Sequence, residues 1–273
     1  MTQPYLIALD LDGTLLKDDK TISEHTKNLL KKAIEHGHHV VISTGRPFRG
    51  SEEYYHELEL TTPIINFNGA FIHHPGMPEW GTYHSPMDIS VAKSIVNTCL
   101  EFNVKNVVAE VLDDVYLHYE DEFITSSFLI DKSNISIGNI ADKLVHDPTS
   151  ILIRPHDHHV KELRELLKKE HAEVIDHRIW AAPWNIIEVV KAGLNKAVGL
   201  KRVAEHFQIP QERIIAFGDE DNDLEMIEYA GHGIAMGNAI PELKNIANAV
   251  TDTNEEDGIA RYLEEVLSLK ARV

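Results

Sequence analysis

Residues Leu6-Ile7-Ala8-Leu9-Asp10-Leu11-Asp12-Gly13-Thr14-Leu15 constrain the fold of this chain more than any other stretch. An unbroken apolar run stops at two carboxylates one residue apart, and a glycine follows. Such a run predicts a strand buried on both faces, the pattern of a central strand in a parallel sheet. The carboxylates then sit at the strand's carboxyl end, where open α/β sheets place their ligands. Gly13 lets the chain leave the strand sharply and brings backbone N–H groups close to a bound group. Side chains two apart on an extended chain point the same way, so Asp10 and Asp12 can address one site if the strand persists that far. Two close carboxylates repel unless a cation or a shared proton relieves them. The plain alternative for this stretch alone is a surface Asp-Gly turn.

The rest of the chain repeats the theme. Thr21-Ile22-Ser23-Glu24 offers N-cap chemistry for a helix carrying Leu29, Leu30, Ala33 and Ile34, with Gly37 at its end. His39–Ile42 reads as a strand running into Ser43-Thr44-Gly45-Arg46-Pro47, which completes a βαβ unit of right-handed crossover. Pro47 is placed to open a helix reaching about Leu58. A short strand, Pro63–Phe67, ends at Asn68-Gly69, a hairpin-type turn. From about Tyr83 to Val190 the pattern is mixed α/β without glycine-rich or carboxylate-dense turns. It contains a helix near Ser90–Phe102, strands near Val107–Val111, Val115–Tyr119, Ser150–Arg154 and Asn185–Val190, and a helix near Asp157–Glu170. This region reads either as an insertion or as a continuation of one sheet. The βα rhythm then returns with a helix Asn195–Phe207 and a strand Ile214–Phe217. That strand stops at Gly218-Asp219-Glu220-Asp221-Asn222-Asp223. A strand Gly233–Met236 and helices from Pro241 and Gly258 close the chain.

Composition narrows the class. At 273 residues, 43% hydrophobic and 26% charged, the chain suits one large or two modest soluble domains. Lys plus Arg number 26 against 44 Asp plus Glu, a formal net charge of −18, which argues against nucleic acid and anionic membranes as partners. The single cysteine, Cys99, reads as a buried small hydrophobe. Neither a leader segment nor a membrane span is expected, and a cytoplasmic enzyme is the natural expectation. The sequence leaves the oligomeric state unknown.

Asp10/Asp12, Thr44/Gly45 and Asp219/Asp223 lie in strand-end turns that a parallel sheet would bring to one edge. Three carboxylates make a hard oxygen site suited to Mg2+. Thr44 and the backbone at Gly45 can donate to a phosphate, and Lys196, at a helix start, adds a positive charge. Phosphoryl transfer needs little beyond such positioning and charge neutralisation. The sequence has no Gly-x-Ser-x-Gly and no P-loop, but a carboxylate is a competent nucleophile toward phosphorus, and Asp10 at the strand end is the candidate. Asp12 can protonate the leaving alkoxide and then deprotonate the attacking water.

Asp10-Leu11-Asp12-Gly13-Thr14, Ser43-Thr44-Gly45-Arg46, Lys196 and Gly218-Asp219-x-x-Asn222-Asp223 resemble, in order, the four motifs of the haloacid dehalogenase-like hydrolase superfamily. Asn68-Gly69-Ala70, Met236-Gly237-Asn238-Ala239, and Thr251 through Asn254 to Asp257-Gly258 resemble its Cof-type branch. The resemblance implies an α/β fold: a Rossmann-like parallel-sheet core, 1–83 and 189–273, with an inserted α/β cap of the C2B type, 84–188. It implies Mg2+ held by Asp10, the backbone carbonyl of Asp12, and Asp219. It assigns the phosphate to Leu11 N–H, Thr44, Gly45, Lys196 and Asn222, with Asp223 supporting them from behind and Arg46 near the substrate side. Ala197 departs from the glycine this branch often has after the lysine. An acid at position 12 resembles phosphatases and phosphomutases rather than dehalogenases or P-type ATPases.

The leading expectation is a Mg2+-dependent phosphatase of small phosphorylated metabolites: sugar phosphates, flavin-pathway phosphates or pyridoxal phosphate. A hexose-phosphate phosphomutase is the second. A signalling phosphoacceptor or non-catalytic binding module is the third, although neither needs Asp12 as an acid or so long an insertion. His156-Asp157-His158-His159 is expected to be a solvated loop and helix start rather than a metal site. Trp180 and Trp184 either fill the cap or line its substrate face.

Overall fold

The computed structural model of the chain describes residues 3–127, 134–171, 175–180 and 185–268. Leu6–Leu9 forms a strand whose four side chains are all buried. It pairs in parallel with His39–Ile42 on one side and Ile214–Gly218 on the other. His232–Ala235 and the two-residue strand Ala249–Val250 extend the sheet in parallel beyond Ile214–Gly218. The chain therefore builds outward from Leu6–Leu9 in one direction, then returns to build in the other. This reversal of strand order beside the first strand opens a ligand crevice at the carboxyl ends.

Burial of whole strands requires cover on both faces. Helices Glu24–Glu35 and Gly258–Val266 pack together, as do Lys196–Phe207 and Leu224–Tyr229. Ser23 caps the first of these helices by accepting from Thr26 N, and Leu29, Leu30 and Ala33 form its buried stripe.

The chain divides into two units. One comprises Met1–Gly45, Ser51–Thr82 and Asn195–Val273, and the other Arg46–Gly50 with Tyr83–Leu194. The expected return at 188/189 falls inside the strand Ile186–Lys191, which pairs along its length with Ile175–Trp180. The units part instead after Leu194, because a strand cannot leave its sheet halfway. The five-residue excursion Arg46–Gly50 was not expected. Instead of one helix from Pro47 to Leu58, a 3-10 turn Phe48–Gly50 is followed by a helix Glu52–Glu57. Ser51 breaks them, at φ −130° and ψ −10°. Ile64–Asn66 and Phe71–His73 form an antiparallel hairpin, joined by a turn in which Phe67, Asn68 and Gly69 all have positive φ.

The second unit is a six-stranded mixed sheet with helices. Asn106–Val111 pairs antiparallel with Asp114–Leu117 and with Ser150–Arg154. Ile186–Lys191 and Ile175–Trp180 continue antiparallel at one edge, and Ile135–Ile137 adds a parallel strand at the other. Alternate residues Val107, Ala109, Ile151, Ile153, Ile187 and Val189 share one core with Ile95, Cys99, Leu163 and Leu167 of the helices Ile89–Glu101 and Val160–His171. The strand Ile175–Trp180 had no sequence prediction, because Asp176, His177 and Arg178 interrupt its apolar pattern. Cys99 is buried, as expected. Asp157–His159 is a 3-10 turn entering the helix Val160–His171, with the His158 and His159 rings 4.0 Å apart. Trp184 and the Trp180 side chain lie outside the described residues.

Candidate active site

The strand Leu6–Leu9 ends one residue before Asp10, so the backbone is already turning at Asp12. The turn is tight: Leu15 N donates to Asp10 O at 3.2 Å and Leu16 N to Leu11 O at 2.8 Å. Gly13 has φ +76°, and a Cβ there would lie 2.2 Å from Asp219 Oδ2. Only glycine gives this backbone and lets the two carboxylate turns approach. Gly218 does the same for the second turn, where a Cβ would lie 2.5 Å from Cβ and Cγ of Asp223.

Asp10 and Asp219 are brought together from positions 209 residues apart. Asp10, Asp219 and Asp223 each offer an oxygen, and these atoms lie within 4.8 Å of one another. It is the only such group among the described residues. Lys196 sits wholly buried between two of them, its Nζ 2.6 Å from Asp10 Oδ1 and 2.6 Å from Asp223 Oδ1. Asn195 caps the helix behind it by accepting from Val198 N. A lysine at a helix N-terminus opposes the helix dipole, so this placement is governed by the carboxylates it meets. Asp223 is fully committed: its Oδ2 accepts from Asp219 N at 3.0 Å and Glu220 N at 3.2 Å. Thr14 Oγ1 donates to Asp219 Oδ1 at 2.7 Å. Oδ2 of Asp10 and Oδ2 of Asp219 are thereby left for a cation.

The electrostatics point the same way. Burial raises the Asp10 carboxyl to about 7, with Lys196 opposing the rise and Asp223 adding to it. Burial, then the charges of Asp10 and Asp223, raise Asp219 to about 8. Burial pulls Lys196 down, but Asp10 and Asp223 outweigh it and hold the ammonium above its usual range. Three carboxylates facing one ammonium leave a deficit of positive charge. Hard oxygen donors in a pocket short of positive charge fit a divalent cation of the Mg2+ type.

Other expected residues fall in different places. The Asp12 side chain pairs with Lys20, Nζ to Oδ1 2.8 Å, on a largely exposed loop, and its charge still bears on Asp10. Leu11 is buried within the turn. Thr44 is buried, its N donating to Ile65 O and its O accepting from Asn68 N. Gly45 lies against the Asn68 amide, where a Cβ would approach Nδ2 to 3.2 Å. Asn222 Nδ2 donates to Asn68 Oδ1 at 3.1 Å, so Asn68 links the Thr44–Gly45 turn to the Asp219–Asp223 turn. Arg46 belongs with the second unit, and its Nη1 donates to Gly50 O at 2.9 Å, closing its own turn. The residue types alone gave no role to Lys20, Thr14 or Asn68. Of these, Thr14 and Asn68 stood inside recognised sequence stretches.

Comparison with known proteins adds independent findings. A family model described as haloacid dehalogenase-like hydrolase matches residues 7–263. The chain is 56% identical over 268 residues to the 5-amino-6-(5-phospho-D-ribitylamino)uracil phosphatase YitU of Bacillus subtilis, covering 98% of this chain and 99% of that one. It is 31% identical over 261 residues to YcsE of the same organism, a phosphatase of the same name, covering 94% of each. The crystal structure of a haloacid dehalogenase-like hydrolase from Bacteroides thetaiotaomicron superposes with a TM-score of 0.84 at 26% identity, covering 97% of this chain and 100% of that one.

Proposed function

Because the chain belongs to the haloacid dehalogenase-like hydrolase family, we propose that it is a Mg2+-dependent phosphatase acting on 5-amino-6-(5-phospho-D-ribitylamino)uracil or a close flavin-pathway phosphate. The observation that carries the chemistry is the buried Lys196 held between Asp10 and Asp223, with Asp219 beside them. The name shared by the two Bacillus relatives supports the substrate. The second unit is the inserted α/β cap, and the unit carrying the five-stranded parallel sheet is the core.

In this reading Asp10, Asp219 and the Asp12 carbonyl hold Mg2+, which supplies charge neutralisation for the phosphate when bound. Asp10 attacks phosphorus with a carboxylate oxygen, forming an aspartyl phosphate as the ester oxygen leaves. Asp12 gives the leaving oxygen its proton, then takes one from the water that cleaves the acyl phosphate. For this the Asp12 side chain exchanges Lys20 for the leaving group. Lys196, Thr44, Gly45, Leu11 N–H and Asn222 hold the phosphate, while Asp223 keeps Lys196 oriented and pins the Asp219 turn. Arg46 remains a substrate-side candidate, placed by its turn. The partner is a small phosphorylated metabolite rather than nucleic acid, and the setting is cytoplasmic. Among the described residues no helix is long and apolar enough to cross a membrane.

The test is phosphate release from 5-amino-6-(5-phospho-D-ribitylamino)uracil beside hexose phosphates, FMN and pyridoxal phosphate, each with Mg2+. The expected result is the highest kcat/KM for the ribitylaminouracil phosphate. A higher value for another ester would reassign the substrate. Isomer formation from a hexose phosphate without phosphate release would favour a mutase.

A further inference from the structure

Two sequence stretches, Met236–Ala239 and Thr251–Gly258, carry no role in the chemistry above. In the structure their asparagines meet the nucleophile turn. Asn238 Nδ2 donates to Gly13 O at 2.8 Å, and Asn238 Oδ1 accepts from Asn254 N at 3.1 Å. Asn254 is buried, and its Nδ2 donates to Leu16 O at 3.0 Å. The same loop reaches the other carboxylate turn, where Ile240 N donates to Asp219 O at 2.9 Å. Gly237 N, in turn, donates to Asp252 O at 3.0 Å.

One exposed side chain thus joins the turn after Asp10 to the turn at Asn254, while its neighbour Ile240 ties down Asp219. Amide side chains suit this because each offers a donor and an acceptor at once. The carbonyls of Asp10, Leu11, Gly13 and Leu16 are all engaged by donors, and Asp12 O lies among them. Each anchored carbonyl fixes the plane of its own peptide unit, and the Asp12–Gly13 peptide, held on both sides by such units, has only the dihedrals at Asp12 and Gly13 left to vary.

We infer that Asn238 and Asn254 are positioning residues, which set the geometry of the cation-holding turn Asp10–Leu16 relative to Asp219. The inference rests on the phosphatase reading, because it concerns the same turn. Groups that orient ligands without touching the ion typically change metal affinity or activity by about 10–100-fold. Asn238 is exposed, so its loss removes orientation and little packing.

The experiment is calorimetric titration of the full-length protein with Mn2+, a hard divalent probe for such an oxygen site. It compares wild type, Asn238→Ala, Asn238→Asp and Asn254→Ser, with metal-free melting curves for each. Asn238→Asp keeps the acceptor for Asn254 N and loses the donor to Gly13 O, so it isolates the contact that matters. Both Asn238 variants should weaken Mn2+ binding by about 10-fold or more, with metal-free Tm within about 2 °C of wild type. They should also raise the Mg2+ concentration for half-maximal turnover of p-nitrophenyl phosphate, leaving its KM at saturating Mg2+ nearly unchanged. Unchanged Mn2+ affinity in Asn238→Asp, with wild type binding normally, overturns this inference and leaves the proposed function standing. A loss of metal-free Tm that accounts for the weaker binding also overturns it. Wild type that neither binds Mn2+ nor releases phosphate overturns the proposed function and this inference together.

Discussion

Lys196 Nζ lies 2.6 Å from Asp10 Oδ1, although 186 residues separate them, and both side chains are buried. The contact closes the parallel sheet's two halves over one point, since Asp10 follows the central strand and Lys196 opens the helix leading to Ile214–Gly218. Removing one partner of a buried ion pair leaves an uncompensated charge and typically costs ~3–5 kcal/mol. Lys196→Met should therefore lower unfolding stability by about that much at neutral pH in urea titrations without metal. Lys196→Arg, too large and differently shaped for a wholly buried pocket, should not restore turnover.

Acidity should couple to metal. In the unfolded chain Asp10 and Asp219 ionise near 3.8, but folded and metal-free they ionise near 7 and 8. The folded state then holds protons that the unfolded state has lost. Their contribution to stability is complete below pH 3.8 and falls away as pH rises through 7 to 8. A bound Mg2+ reverses that loss by favouring the ionised pair. The rise in Tm on adding Mg2+ should thus be small near pH 5 and grow toward pH 8, as measured by scanning calorimetry across that range. A Tm shift that shrinks with rising pH would oppose this assignment.

Gly13→Ala places a methyl at φ +76° against Asp219 Oδ2. The two carboxylate turns must then separate. Phosphatase activity and Mn2+ binding should both be lost, with a folded far-UV circular dichroism spectrum retained. Near-normal activity would mean that the close approach is not needed.

The Asp12–Lys20 pair is exposed on both sides. Such pairs contribute roughly 0–1 kcal/mol, so Lys20→Met should barely change stability. Asp12→Asn should slow both formation and breakdown of the phosphorylated enzyme in rapid-quench measurements. Unchanged rates in both steps would remove Asp12 from proton transfer.

Cys99 is fully buried between the second unit's sheet and helices, and burial pushes its thiol up to about 12. Maleimide labelling should fail on the native protein and go to completion in urea. Fast native labelling would show that the core around Cys99 opens.

Much of this was legible from residue order because strand ends advertise themselves. Leu6–Leu9 and Ile214–Gly218 are apolar runs halted by carboxylates, and their parallel pairing alone brings Asp10 near Asp219. Lys196 was legible as a helix start before the second run. Contacts that depend on turn geometry were not. The strand stops before Asp12, and the Lys20 partner its carboxylate meets there has no signal in the residue order. Arg46 closes a turn with Gly50, and Ser51 breaks a helix that Pro47 had suggested. Ile175–Trp180 escaped because its polar residues hide the period of a strand.

The most direct measurement is mass spectrometry of acid-quenched Asp12→Asn protein after brief incubation with p-nitrophenyl phosphate and Mg2+. The expected result is one phosphate, located by peptide fragmentation on Asp10. Phosphate on another residue, or none while product accumulates, would contradict nucleophilic attack by Asp10.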